Sequence, residues 1–174
     1  MNTSLQHRTV LVIGRGSGIA RAVALATRDA GAQVIAAGRN AEVIGPLMLA
    51  KHLGPRINEG GSFVLFSGVA AFKIAVGTLA VAITNGAADT LTRSLALELA
   101  PIRVNAISPG VIDTGAWDAL GEKGKAEMFS DQSERNPARR IGTTEDIADA
   151  VLFAMTSTFL TGITLAVDGG EALT

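Results

Sequence analysis

Residues Thr9–Gly14 read TVLVIG, a short apolar and β-branched run that ends in glycine. Such a run suits a strand buried on both faces, and that strand needs helices above and below it. The residues that follow supply the first helix. SGIARAVALATRDAG places Ile19, Val23, Ala26 and Ala30 at helical spacing, and Gly31 stops the helix at its C-terminus. AQVIAAGR, Ala32–Arg39, then reads as a second strand. The three pieces make one β-α-β unit of about 30 residues, the usual size for this motif.

The alternation continues along the chain. VIGPLMLAKHLGPRI, Val43–Ile57, is predicted to be a helix with Pro46 in its first turn. GGSFVLFSG is a turn followed by a strand, and Thr78–Leu99 is a long helical pattern stopped near Pro101. IRVNAISPG is another strand. A helix starts at Thr143 or Thr144, and GITLAVDGG closes the chain as a last strand. Strands alternating with helices predict an α/β fold: a doubly wound, mainly parallel sheet of Rossmann type in three layers, α/β/α. The segment Trp117–Arg140 is the longest irregular and most charged stretch, with room for a mobile helix.

Composition narrows the function classes. The 174 residues suit one domain spanning 1–174, and a net charge of −1 argues against nucleic acid or an anionic membrane as main partner. No cysteine is present, which removes disulfides and thiolate chemistry; His7 and His52 have no ligand-like spacing, so no metal site is expected. The N-terminal MNTSLQHRTV lacks the apolar run of a signal peptide, and no segment reaches the ~18 apolar residues of a membrane span. These features predict a soluble, cytoplasmic protein.

The turn GRGSGIA, Gly14–Ala20, lies between the first strand and the first helix, where a phosphate-binding loop belongs. Gly14 permits the tight turn, and Gly16 or Gly18 lets backbone N–H groups approach a pyrophosphate. The helix N-terminus behind them favours an anion. Arg15, Ser17 and Ile19 complete the candidate loop. An acidic residue at the end of the second strand would bind a ribose 2′-hydroxyl, but this chain has AAGRN there. Arg39, with Arg15, can instead grip a 2′-phosphate, so NADP is favoured over NAD. Solvated surface arginines are the alternative.

At this point the chain resembles the short-chain dehydrogenase/reductase family. The matching pieces are IGRGSGIA, GGSFVLFSG, LTRSLALELAPIRVNAISPGVIDT, RRIGTTEDIADAVLFAM and GITLAVDGG, in the family's order. The resemblance implies that Pro109, Gly110, Val111 and Thr114 line the nicotinamide and its phosphates. Asn105 would be structural. Thr114–Arg140 would form a loop over a small-molecule substrate, with Trp117 either an apolar wall of that site or ordinary packing under the loop.

Two departures follow from the same resemblance. The family's catalytic Tyr and Lys lie four residues apart on the helix ending LALELAP; counting back places them at Val81 and Asn85, and the serine at Gly68 with Ser67 beside it. The chain contains no tyrosine. Asn85 can hydrogen-bond a ribose hydroxyl but brings no charge, and Ser67, Thr78 and Thr84 are weak proton donors. Ser67 and Asn85 are the catalytic candidates. SGVAA…NGA is also similar to a divergent group of short dehydrogenase-like proteins with NGA in place of the pair. The second departure is length: about two βα units of the family are missing near residues 40–42. Either a segment separates Arg39 from Val43 in the intact protein, or the chain is a true deletion whose first strand pairs directly with the strand of GGSFVLFSG. The first alternative is favoured, because losing a central strand leaves the core unfilled.

Three readings remain open: an NADP-linked oxidoreductase on an unidentified carbonyl or alcohol, a catalytically impaired dinucleotide-binding protein acting as sensor or partner subunit, and a remnant that binds no cofactor. The helices Val43–Ile57 and Thr78–Leu99 carry apolar residues on more than one face, which predicts a homodimer or homotetramer.

Overall fold

The computed structural model describes residues 4–13, 18–37 and 44–174. Among the described residues five strands, each in parallel pairing, carry the fold: β1 (Thr9–Ile13), β2 (Gln33–Ala37), β3 (Ser62–Phe66), β4 (Arg103–Pro109) and β5 (Thr164–Val167). The α-helices are α1 (Gly18–Asp29), α2 (Ile44–Leu53), α3 (Leu79–Glu98), α4 (Gly121–Arg135) and α5 (Thr144–Thr156). The strands form two sheets, β1–β2 and β3–β4–β5. The expected Rossmann-type alternation is present, with α1 and α5 on one face and α2 and α3 on the other.

β4 is the centre of the larger sheet. Arg103–Ser108 are all buried, as a strand with both faces covered requires. On one side Ile107 packs with Val23 of α1 and Ile147 and Val151 of α5. On the other, Val104 and Ala106 pack with Ala50 of α2, Leu65 of β3 and Leu95 of α3. Successive side chains of β4 therefore serve two different cores.

The smaller sheet differs from expectation. Val10 and Val34, paired in register, face the α1/α5 layer with Leu152 and Met155 against them. Leu11 and Ile35, also paired, are 42% and 55% exposed on the opposite face. The strand TVLVI is thus buried on one face only, because no helix among the described residues covers the other. Direct pairing of β1 with β3 does not occur among the described residues. The junction at 40–42, where the sequence is shorter than the resemblance implies, lies outside the described residues.

The segment Trp117–Arg140, expected to be irregular, is mostly helical. A 3-10 turn spans Gly115–Leu120 and α4 occupies Gly121–Arg135. The charge that marked this stretch belongs to a mainly polar helix: Met128 and Phe129 are half-buried and none of its residues is fully buried. The start of α5 follows the sequence closely. Thr143 is the N-cap, its hydroxyl accepting from the Asp146 N–H while the Asp146 carboxylate accepts from the Thr143 N–H.

The far end of α5 is held by β4. Arg103 is buried, and its guanidinium donates to the carbonyls of Ala154 (2.9 Å), Ser157 (2.6 Å) and Met155 (2.8 Å). Burial, and then the nearby Arg8 cation, lowers its pKa from the ordinary arginine value. It remains a cation at the negative end of a helix. Arg103→Met keeps the apolar stem but strips these carbonyls of their donor. Hydrogen bonds to charged groups contribute about 1.5–3 kcal/mol, so urea denaturation is expected to show a loss of about 2–4 kcal/mol with an unchanged m value. A loss within ~0.5 kcal/mol would contradict the bracing role.

Candidate functional site

The C-terminal ends of parallel strands leave backbone groups and loops free to meet a ligand. β3 continues one step beyond Phe66: the Ser67 N–H donates to the Ile107 carbonyl at 2.9 Å. With Phe66 opposite Ile107, the next pair in register is Ser67 beside Ser108. Leu65 and Ala106 lie in the core under α3, so the side chains two residues on, those of Ser67 and Ser108, face α3 as well. The Ser67 hydroxyl donates to the Asn85 carbonyl at 3.1 Å. A Cβ on Gly68 would lie 2.6 Å from Asn85 Nδ2, so only glycine lets the Asn85 amide sit this close. The two catalytic candidates, 18 residues apart in sequence, are brought together.

Val81, one helical turn before Asn85, is 51% exposed. Thr78 and Thr84 do not join the cluster. Their hydroxyls donate to carbonyls of their own segment, Ala75 for Thr78 and Ala80 and Val81 for Thr84. Two groups escaped the sequence reading. Ser108 is 1% exposed, and its hydroxyl has no partner among the described residues. Asp89, one turn beyond Asn85, is buried and accepts from the Thr164 hydroxyl at 2.9 Å. The alternation of β4 and the helical spacing from Asn85 to Asp89 were the signals available for both.

The candidate cofactor residues come from both ends of the chain. Gly18 opens α1, and a Cβ placed on it would lie 3.6 Å from the Thr114 side chain. The N-terminus of α1 therefore abuts the segment after β4. Ile19 is partly buried and packs into the Ile107–Ile147 core. Thr114 also accepts from the Ala116 N–H at 3.3 Å, starting the 3-10 turn. Gly14, Arg15, Gly16, Ser17 and Arg39 lie outside the described residues.

The Pro109–Gly110–Val111 turn is tied on every side. The Gly110 N–H donates to Val167 O (3.2 Å), the Val111 N–H to Glu171 Oε2 (3.0 Å), and Val111 O accepts from the Gly142 N–H (3.1 Å). Trp117 Nε1 donates to Ile112 O at 2.9 Å, which ties its indole to the residue after this turn. Asn105 acts structurally: fully buried, it donates from Nδ2 to Leu160 O at 2.9 Å. Further along, Arg140 grips Asp146 through two hydrogen bonds, Nη1 to Oδ2 at 2.6 Å and Nη2 to Oδ1 at 2.7 Å. That pair holds the segment whose Gly142 bonds Val111 and whose carbonyl accepts from Asp113 at 2.9 Å.

Against known proteins, a family model described as enoyl-(acyl carrier protein) reductase matches residues 40–171. The chain belongs to the short-chain dehydrogenase/reductase family. Among its relatives, the short-chain dehydrogenase/reductase ucsE of Acremonium sp is 36% identical over 133 residues, 75% of this chain and 50% of that protein. The 3-oxoacyl-[acyl-carrier-protein] reductase of Mus musculus is 39% identical over 120 residues, 68% of this chain and 48% of that protein. The crystal structure of a small-chain dehydrogenase in complex with NADPH superposes with a TM-score of 0.90 at 28% identity, covering 97% of this chain and 100% of that one. This member of the short-chain dehydrogenase/reductase family spans about half the length of the curated relatives it matches.

The Arg140–Asp146 pair makes a pH prediction. The Arg140 guanidinium, and then the Thr143 N–H, hold the Asp146 carboxyl well below its usual value of 3.8. A carboxylate with a depressed folded pKa contributes stability that is complete above its unfolded pKa and is lost as pH falls through the folded value. Both partners are part-exposed, with side chains 56% and 29% accessible, so solvent screening limits the contribution to a small amount. Asp146→Asn is expected to lose that amount at pH 7 and to show a shallower fall of stability below pH ~4 than the parent chain, read by thermal melts across pH. Parallel acid profiles for the two proteins would refute the assignment.

Proposed function

We propose that this chain is an NADP-linked oxidoreductase acting on a carbonyl or alcohol group of a small molecule. The observation that carries the reading is the meeting of Gly18 with Thr114 at the edge of the sheet where Ser67 and Asn85 also meet. The residues fit a dinucleotide: Gly18 stands at a helix N-terminus, and the Pro109–Val111 turn has its amides already bonded. Gly18, Thr114 and the Pro109–Val111 turn would hold the coenzyme together with Gly14–Ser17, and Arg15 and Arg39 would select its 2′-phosphate. When bound, the coenzyme supplies or accepts the hydride.

The chain's own polar groups then have distinct tasks. A hydroxyl has one proton, and that of Ser67 is directed at the Asn85 carbonyl. In this arrangement Ser67 meets a substrate as an acceptor through its lone pairs, and donates only after rotating away. The Asn85 amide has N–H donors suited to a ribose hydroxyl or a substrate oxygen. The absence of tyrosine from the sequence, with this commitment of the Ser67 proton, favours a second reading: a dinucleotide-binding sensor or partner subunit that does not turn over.

Oligomer formation is part of the proposal. Leu47 and Met48 of α2 and Leu79, Val81, Ile83 and Leu97 of α3 are exposed apolar residues on helices that share one face of the sheet. A second copy of the chain would cover them.

Nicotinamide fluorescence on titration with NADPH tests the binding step. Enhancement that saturates, and weakens sharply in Thr114→Arg, is expected; no enhancement would leave only the cofactor-free remnant. A carbonyl panel followed at the NADPH absorbance then separates turnover from binding alone. Where turnover occurs, Ser67→Ala is expected to lower kcat by about tenfold or more, and an unchanged rate would remove Ser67 from the mechanism.

A further inference from the structure

Glu171 carries a carboxylate that the reading above does not use. It is 8% exposed, and its Oε2 accepts the Val111 N–H at 3.0 Å across 60 residues of sequence. The turn that presents it is itself fixed. The Asp168 carboxylate accepts from the Gly170 N–H at 2.9 Å and the Ala172 N–H at 3.0 Å, and Asn136 Nδ2 donates to the Asp168 carbonyl at 2.9 Å. Gly110 is shaped to this arrangement: a Cβ there would lie 2.7 Å from Glu171 Oε2 and 2.8 Å from Asp168 Cα.

The hydrogen bonds of the Pro109–Val111 turn isolate what the carboxylate does. The Gly110 N–H is bonded to Val167 and the Val111 carbonyl to Gly142; of the bonds found in this turn, the Val111 N–H alone depends on a side chain. Burying a carboxylate to bond one amide is costly in general. Here the amide belongs to the turn where the resemblance places the nicotinamide. We propose that Glu171 is a positioning residue for the coenzyme: by holding the Val111 N–H, it keeps the Pro109–Val111 turn in its binding shape before the dinucleotide arrives. This inference rests on the NADP-linked reading given above.

The test compares Glu171→Leu and Glu171→Ala, which remove the acceptor, with Glu171→Gln, which keeps one. Leu173→Ala in the same exposed turn is the control. Two quantities are measured: hydrogen exchange of the Val111 amide in coenzyme-free protein, and NADPH affinity from nicotinamide fluorescence. A part-buried N–H left without a partner is destabilised, so the Leu and Ala variants are expected to exchange Val111 faster and to bind NADPH about tenfold more weakly. The Gln variant should stay within about threefold of the parent chain, and the Leu173 control should match it. The proposal is overturned by unchanged Val111 exchange, by parent-like NADPH affinity in a folded Leu or Ala variant, or by a Gln variant as weak as those two. Loss of a cooperative melt in both the Leu and the Ala variant also overturns it, because Glu171 would then be needed for folding itself. If the parent chain binds no NADPH, the proposed function fails, and Val111 exchange still decides whether the carboxylate holds the turn.

Discussion

The double burial of β4 is the constraint on which the rest of the structure depends. It alone among the described strands pairs on both edges, with β3 and with β5. Its residues alternate between two cores, Ile107 toward α1 and α5, Val104 and Ala106 toward α2 and α3. A shift of one residue would send each set to the wrong face, so the register is strongly determined. That register sets the height of everything at the C-terminal edge. It puts Ser108 level with Ser67, brings Thr164 under Asp89, and delivers Pro109–Val111 to the rim.

What surrounds the rim is a set of reciprocal ties between segments distant in sequence. Gly142 and Glu171 bond the two polar groups of Val111, Trp117 bonds Ile112, and Asn136 bonds the turn that presents Glu171. Arg103, at the opposite end of β4, fixes the last turn of α5, while Thr143 and Asp146 fix its first. The helix and the strand are therefore clamped at both ends. Loops anchored this way lose little further entropy when a ligand arrives.

The sequence made the alternation legible because apolar runs and helical spacing are local properties. TVLVI, SFVLF and RVNAISP are all strands where the pattern placed them, and the Thr143 cap is readable from Thr and Asp three residues apart. The one-sided burial of β1 was not legible, since an apolar run is the same whether one or two layers cover it. Leu11 and Ile35 are exposed because no layer among the described residues covers them, which no local pattern encodes. α4 was legible only as room for a helix in a charged stretch, because its mainly polar surface offers few apolar residues to reveal a period. At the site, counting along α3 singled out Asn85, whose carbonyl and amide lie against Ser67 and Gly68. Glu171 stayed invisible, because a carboxylate bonded to a backbone amide 60 residues away has no sequence signature.

The inner face of α3 shows what chemistry this arrangement supports. One turn separates Val81, Asn85 and Asp89, and each has a different fate: an exposed apolar side chain, an amide against Gly68, and a buried carboxylate bonded to Thr164. In the resemblance the first two positions carry an acid and the cation that tunes it. Here they carry neither, and the nearby hydroxyl proton of Ser67 is directed into the helix backbone. Among the described residues, Ser108 buries a hydroxyl without a hydrogen-bond partner beneath the same helix. In the proposed reading, hydride placement by the Pro109–Val111 turn would suit this site, and a proton would come through water or through hydroxyls that first give up their present bonds. Coenzyme binding and turnover are separable in that reading.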